Sequence, residues 1–205
     1  MTKLQPNAVI RAALDLLNDV GMDGLTTRKL AERLGVQQPA LYWHFKNKRV
    51  LLDRLAEAML VERHTYPLPR PGDDWRAFLI GNAHSFRQAL LAYRDGARIH
   101  AGTRPSEPQF ETVETQLRFL CEEGFTPGDA AQALLTVSHY TVGAVIEQQS
   151  DEADVDERPS SSASAAAATP FLTAAMRDID NAGPDAAFEF GLGVIIDGLK
   201  EKRRR

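Results

Sequence analysis

The sequence predicts an all-α protein, three short helices followed by a larger helical bundle, and three observations carry that expectation. No period-2 run of Val, Ile, Thr and aromatic residues is flanked by turns, so strand signals are missing. Apolar residues recur instead at helical spacing, i, i+3, i+4 and i+7. Gly and Pro fall between these runs, where helices are expected to start and stop.

The elements follow in order. Val9, Ala12, Ala13, Leu16, Leu17 and Val20 form the first stripe, with Pro6 suiting the first turn and Gly21 the end. A second helix runs from about Thr27 to Leu34, turns Leu30, Ala31 and Leu34 inward, and is stopped by Gly35. Gln38-Pro39 opens a third, reaching about His44. The fourth, about Lys48 to Arg63, carries Leu51, Leu52, Leu55, Ala56, Met59 and Leu60. Pro67, Pro69, Pro71 and Gly72 break the chain before helices at about Trp75–Leu91, Asp95–His100 and Glu107–Glu123. Thr126 and Pro127 cap the next helix, which has no charged residue between Asp129 and Glu147, counting His139 as neutral. A long helix apolar all round is buried on several sides, and a subunit interface provides such a place. Residues 151–169, acidic and then Ser/Ala-rich, read as a mobile loop. A short helix at about Pro170–Ile179 follows. Gly183-Pro184 then restarts the chain into a last helix containing Phe188, Phe190, Leu192, Val194, Ile195, Ile196 and Leu199, and the tail Lys200–Arg205 is expected to fray.

Composition excludes several classes. With 43% apolar and 25% charged residues, the 205-residue chain is neither disordered nor collagen-like. The single Cys121 cannot form an internal disulfide, which fits a reducing cytoplasm. The longest uncharged stretch, Pro159 to Met176, is too polar for lipid, and Asp15 and Asp19 interrupt the N-terminal apolar run, against a signal peptide. The net charge of −4 is divided unevenly. Residues 1–49 hold eight Lys/Arg and four Asp/Glu, a net +4, whereas residues 50–205 hold sixteen and twenty-four, a net −8. A basic head on an acidic body suggests that one end meets an anion.

Residues 25–49 carry Arg28, Lys29, Arg33, Lys46, Lys48 and Arg49 against one acid, Glu32, and read as helix, four-residue turn, helix. Val36 and Leu41 can pin such a pair at a steep angle, placing the second helix in a major groove. Gln38 can donate to and accept from adenine, and Pro39, Ala40 and the Tyr42 ring can touch thymine methyls. Tyr42, Trp43, His44 and Lys48 can reach phosphates, and Arg28, next to Thr27 at the start of the preceding helix, can reach a guanine edge. The bland alternative makes Tyr42 and Trp43 core aromatics and the cations a solvated face.

The segments Leu25-Thr26-Thr27-Arg28-Lys29-Leu30-Ala31 and Leu41-Tyr42-Trp43-His44-Phe45-Lys46-Asn47-Lys48 resemble the DNA-binding head of the tetracycline repressor family. Arg94-Asp95-Gly96-Ala97, His100-Ala101-Gly102-Thr103-Arg104-Pro105, Gln116-Leu117 and Phe119-Leu120-Cys121 resemble the family's drug-binding core. The likeness runs over nearly the whole chain and lapses at about 150–170 and in the tail. It implies a helix-turn-helix DNA-binding domain, residues 1–47, on a ligand-binding and dimerisation core, residues 48–205. Thr27, Arg28, Gln38, Pro39, Ala40, Tyr42, Trp43, His44 and Lys48 form the expected DNA-binding set.

From chemistry alone, His100, Thr103 and Glu147 could serve a hard divalent ion that keeps several waters, although a lone His is more often structural. The resemblance implies that tetracycline binds as a magnesium chelate. His100 would hold Mg2+ directly, with Thr103 and Glu147 acting through water. His64, Asn82 and Gln116 would bond the polar edge of the drug, Phe86 and Pro105 would pack on its rings, and His139 would line the far side, with Arg104 also in the pocket. Phe86 could equally be plain core, and Glu147 the start of a solvated acidic run. The resemblance also implies a homodimer paired through helices at about 126–147 and 184–199, with Leu172, Met176 and Ile179 closing the other subunit's pocket. The implied function is that of a repressor on a palindromic operator, released by the chelate and controlling a tetracycline efflux gene. Two rivals are a regulator of the same fold with another ligand and a metal-dependent hydrolase using His100 and Glu147. Against the second, the chain has no nucleophile elbow, phosphate-binding Gly loop or two-His metal helix.

Overall fold

The computed structural model describes residues 5–42, 45–103, 106–153 and 169–203, with the side chains of 151–153 excepted. Nine helices run through the described residues, and no strand does. They are α1 (Pro6–Gly24), α2 (Thr27–Leu34), α3 (Pro39–Tyr42), α4 (Lys48–Arg63), α5 (Trp75–Leu91), α6 (Gly96–His100), α7 (Glu107–Glu122), α8 (Pro127–Ala153) and α9 (Pro170–Leu199). Short polar side chains start them. Thr26 accepts the Lys29 N–H, Asn47 the Val50 N–H, Asp74 the Ala77 N–H and Thr126 the Asp129 N–H, each satisfying an amide that a first turn leaves free.

Two apolar clusters hold the helices together. One gathers α1 to α4 around Leu17, Leu30, Leu41, Leu55 and Met59, and takes in Phe86 and Leu90 of α5, Ile99 of α6 and Val145 of α8. The other joins Trp75, Phe78 and Leu79 of α5 to Leu120, Val137, Phe188 and Ile196 from α7, α8 and α9. Helix α5 therefore runs from one cluster into the other, and its middle, around Asn82–Phe86, lies where the two meet. None of the described helices is long and apolar enough to cross a membrane.

Several boundaries differ from the expectations. Gly21 leaves the helical region (φ 69°) where the first helix was expected to stop, but the chain takes a further turn to Gly24. The third helix is described only to Tyr42, because Trp43 and His44 lie outside the described residues. Helix α8 continues through Ala153, three residues into the expected loop, since nothing between Glu147 and Ala153 breaks it. The rest of that loop, 154–168, lies outside the described residues. The short helix from Pro170 runs past Ile179 to Gly183, whose φ of 76° makes the expected break inside α9. The tail is not frayed at its start. Residues 200–202 form a 3-10 turn, and the Arg203 Nε donates to the Glu123 carbonyl at 2.7 Å while its guanidinium lies over Trp75. The aromatic face and the free carbonyl at the end of α7 give the cation a place that tail composition alone does not reveal.

Candidate nucleic-acid interface and ligand pocket

In the basic segment, α2 and α3 are joined by residues 35–38, with Gly35 in the left-handed conformation (φ 65°). Leu41 is buried and Val36 packs on the same cluster, so the inward side of the pair is fixed as expected. The outward side presents Arg28, Gln38, Pro39, Tyr42 and Lys48 as exposed residues, with Thr27 and Ala40 half-buried. Tyr42 is 49% exposed, which removes it from the core. Gln38 Nε2 donates to Thr27 Oγ1 at 2.8 Å, and Arg28 pairs with Glu32 one turn away at 3.1 Å.

The basic segment is tied to the body at α6. Asp95, in the left-handed region (φ 56°), accepts the Met22 N–H at 2.8 Å and the Arg98 guanidinium at 3.0 Å. Arg98 also reaches Asp23, and the Arg94 N–H donates to Asn18 Oδ1 at 3.0 Å. At the other end of α6, Arg49 Nη2 at the start of α4 donates to the Gly102 carbonyl at 2.6 Å and its Nε pairs with Asp53 at 2.9 Å. The sequence placed Arg49 in the basic run and Arg94, Asp95 and Gly102 in the resembling motifs, but it showed none of these pairings, apart from the i, i+4 spacing of Arg49 to Asp53.

Four of the expected ligand residues come together beside α6. The Phe86 ring lies edge-on to His100 with centroids 4.9 Å apart, and 5.9 Å from His64. Asn82 Nδ2 is 3.3 Å from His64 Nε2 and donates to the Tyr66 carbonyl at 3.0 Å. Gln116 joins this wall from α7 by donating to the Pro67 carbonyl at 2.7 Å. Thr103 donates its hydroxyl proton to the His100 carbonyl at 2.8 Å, leaving its oxygen free to accept. Among the described residues, His100 Nδ1 is buried with no hydrogen-bond partner. Burial pushes the His100 pKa down, and burial with the neighbouring His100 pushes His64 down to about 4, so both rings are neutral near pH 7. A neutral imidazole keeps one lone pair for a proton donor or a metal ion.

Phe86 is therefore buried core that also packs against both imidazoles. Glu147 and His139 are exposed on α8, and among the described residues no hydrogen bond or ring contact joins them to this group. Leu172, Met176 and Ile179 are exposed on α9 and do not close this chain's own pocket. Arg104 and Pro105 lie outside the described residues. Ser85 was missed. Its hydroxyl stands 2.9 Å from His64 Nδ1, and the available signal was a second polar residue three positions after Asn82 on an otherwise apolar helix face.

Residues 9–55 match the family model "Bacterial regulatory proteins, tetR family", and residues 68–203 match "Tetracyclin repressor-like, C-terminal domain". The chain belongs to the tetracycline repressor family. Among its relatives, the tetracycline repressor protein class A from transposon 1721 of Escherichia coli is 70% identical over 203 residues, covering 99% of this chain and 94% of that protein. The class C repressor of Escherichia coli is 65% identical over 205 residues, covering 99% and 94%. Among solved structures, TetR from Acinetobacter baumannii AYE is 59% identical with a TM-score of 0.81, covering 99% of this chain and 100% of that one. The class A TetR in complex with 5a,6-anhydrotetracycline and magnesium is 61% identical with a TM-score of 0.79, covering 98% and 100%. The tetracycline repressor family is one of transcriptional regulators.

Proposed function

We propose that this chain is a homodimeric transcriptional repressor that binds a palindromic operator and is released by a magnesium–tetracycline chelate, controlling a tetracycline efflux gene. The observation that carries the reading is the polar corner formed by His64, Asn82 and His100 against Phe86, with the buried His100 Nδ1 left without a partner among the described residues. Residues 1–47 act as the DNA-binding domain and residues 48–205 as the ligand-binding and dimerisation core.

The donor set fits an ion that arrives with its drug. No three His, Cys, Asp or Glu side chains among the described residues cluster as a metal cage, so this chain alone makes a poor magnesium site. His100 gives one direct nitrogen, and Thr103 and Glu147 hold metal-bound water. Thr103 suits this because its own proton is already committed to the His100 carbonyl. When bound, Mg2+ supplies positive charge that offsets the chelating oxygens of the drug. His64, Asn82 and Gln116 orient the polar edge, Phe86 and Pro105 lie against the rings, and Arg104 and His139 complete the lining. Leu172, Met176 and Ile179, exposed in a single chain, cover the partner's pocket.

Release follows from linkage. The chelate weakens operator binding only by its preference for one shape of the protein over another, and a thousandfold loss corresponds to about 4 kcal/mol. Helix α6 is the element both ends share, since Asp95 holds the end of α1 and Gly102 holds Arg49 of α4. A mobility shift on palindromic DNA, with and without magnesium tetracycline and at two salt concentrations, tests the reading. Specific binding should weaken steeply with salt and be lost with the chelate. Unchanged operator affinity in saturating chelate rejects it.

A further inference from the structure

Three groups converge on the Ser85 hydroxyl, which is only 5% exposed in the middle of α5. The Tyr66 backbone N–H donates to Ser85 Oγ at 2.9 Å, His64 Nδ1 lies 2.9 Å away, and Thr65 Oγ1 lies 3.3 Å away. Across the imidazole, Asn82 Nδ2 stands 3.3 Å from Nε2 and 3.0 Å from the Tyr66 carbonyl oxygen.

Proton accounting settles who donates in the free pocket. The Tyr66 carbonyl can only accept, so the near end of the Asn82 amide is its NH2. The second hydrogen of that NH2 faces His64 Nε2, which must then offer a lone pair. A neutral imidazole carries its one proton on the other nitrogen, so Nδ1–H donates to Ser85. Ser85 accepts twice, from Tyr66 and His64, and donates once, to Thr65. Every hydrogen bond in the set is then satisfied.

We propose that Ser85 is a positioning residue that fixes His64 as the Nδ1–H tautomer in the free pocket and, by turning its hydroxyl, releases His64 to donate from Nε2 to a ligand oxygen. The second state is satisfied once a ligand oxygen takes the place of the His64 Nε2 lone pair as acceptor for Asn82. Thr65 donates to Ser85, the Ser85 O–H donates to Nδ1, and Nε2–H and the Asn82 N–H, 3.3 Å apart, both donate to one ligand oxygen. The imidazole gives its Nδ1 proton to water and takes one from water at Nε2, so its charge does not change. Two N–H donors then meet at one position, the arrangement that recognises an anionic or carbonyl oxygen such as a deprotonated enol. Serine serves both states because a hydroxyl donates and accepts, whereas alanine serves neither. The first state concerns the free protein. The second rests on the proposed function, because it needs a ligand oxygen at Nε2.

The test is long-range proton–nitrogen correlation NMR on the full-length protein labelled with 15N-histidine, with the His64 signals identified by their loss in His64→Gln. Ligand-free wild type should show the Nδ1–H pattern, and an Nε2–H pattern overturns the proposal without reference to any variant. Ser85→Thr, which keeps the hydroxyl, should keep the wild-type pattern, and Ser85→Ala should lose it. A wild-type pattern in folded Ser85→Ala removes Ser85 from the role. Saturating magnesium tetracycline should convert wild type to the Nε2–H pattern, and persistence of Nδ1–H overturns the switch. Ser85→Ala should bind the chelate about tenfold more weakly, a loss that Ser85→Thr largely restores. Failure of wild type to bind the chelate at all would reject the proposed function and the second state together, while the ligand-free spectrum still decides the first.

Discussion

Gln38, the proposed base reader, is already held in place in the free protein. Its amide donates to Thr27 across the turn, and this fixes the plane in which it faces solvent. A base reader needs that preorganisation, because a free Gln would have to be ordered on binding. Gln38→Ala should therefore cost about 1–3 kcal/mol on a cognate operator and little on random DNA, as measured by mobility shift against both. Equal losses would make it a phosphate contact or a structural residue. The pocket imidazoles make a second prediction at this scale. Burial holds His64 and His100 below their ordinary 6.5, His64 at about 4. The unfolded chain takes up these protons below about pH 6.5 and the native one does not. Stability is therefore complete above that pH and is lost as pH falls toward 4. For His64 the loss is at most about 3 kcal/mol, less for the part of the ring that solvent reaches. Urea midpoints at about pH 7.5 and about pH 5 should differ, and the difference should shrink in His64→Gln.

At the scale of elements, α6 is short because both its ends are spoken for. A Cβ on Gly96 would lie 2.1 Å from the Leu90 carbonyl oxygen, so only glycine lets the α5–α6 turn close. Gly96→Ala should destabilise the protein by at least about 2 kcal/mol and shift the urea midpoint accordingly. A neutral result would mean that the turn opens freely. Gly96 illustrates what the sequence could and could not reveal. Gly21, Gly35, Gly183 and Pro39 were legible because each acts on its own few residues, breaking, ending or starting a helix by backbone conformation, although α1 takes one more turn past Gly21. Gly96 acts on the end of the preceding helix, and no periodic pattern records that. The same limit applies to the site. His64, Asn82 and Phe86, named through resemblance, and His100, named from its chemistry as well, converge, but Ser85, Thr65 and Tyr66 enter through hydrogen bonds between the loop after α4 and the middle of α5. Arg203 was read as part of a frayed tail because its partners, Glu123 and Trp75, are far away in the chain.

At the scale of the whole molecule, α8 and the second half of α9 pack together and share one face. Tyr140 stacks on Phe188 with centroids 5.4 Å apart and donates to the Phe188 carbonyl at 2.9 Å. That face leaves Leu135, Phe190 (77% exposed) and Val194 (60% exposed) in solvent, the latter two one turn apart on α9. An uncovered apolar patch on helices that pack together is a surface a second copy would bury. A palindromic operator needs that second copy, since its half-sites lie about 34–36 Å apart and each chain carries one recognition helix. Phe190→Asp with Val194→Asp places two charges in the proposed contact, where they would be desolvated without partners. The double variant should sediment as a monomer and lose at least about hundredfold in affinity for the full palindrome, while its affinity for an isolated half-site stays near that of one wild-type head. Phe171→Ser, on the first half of α9, should leave the dimer intact, because that segment is assigned to the partner's pocket. If the double variant still sediments as a dimer, the pairing face lies elsewhere. The assignment of Leu172, Met176 and Ile179 to the partner's pocket would fall with it, because these residues reach that pocket only if α8 and α9 pair with their copies.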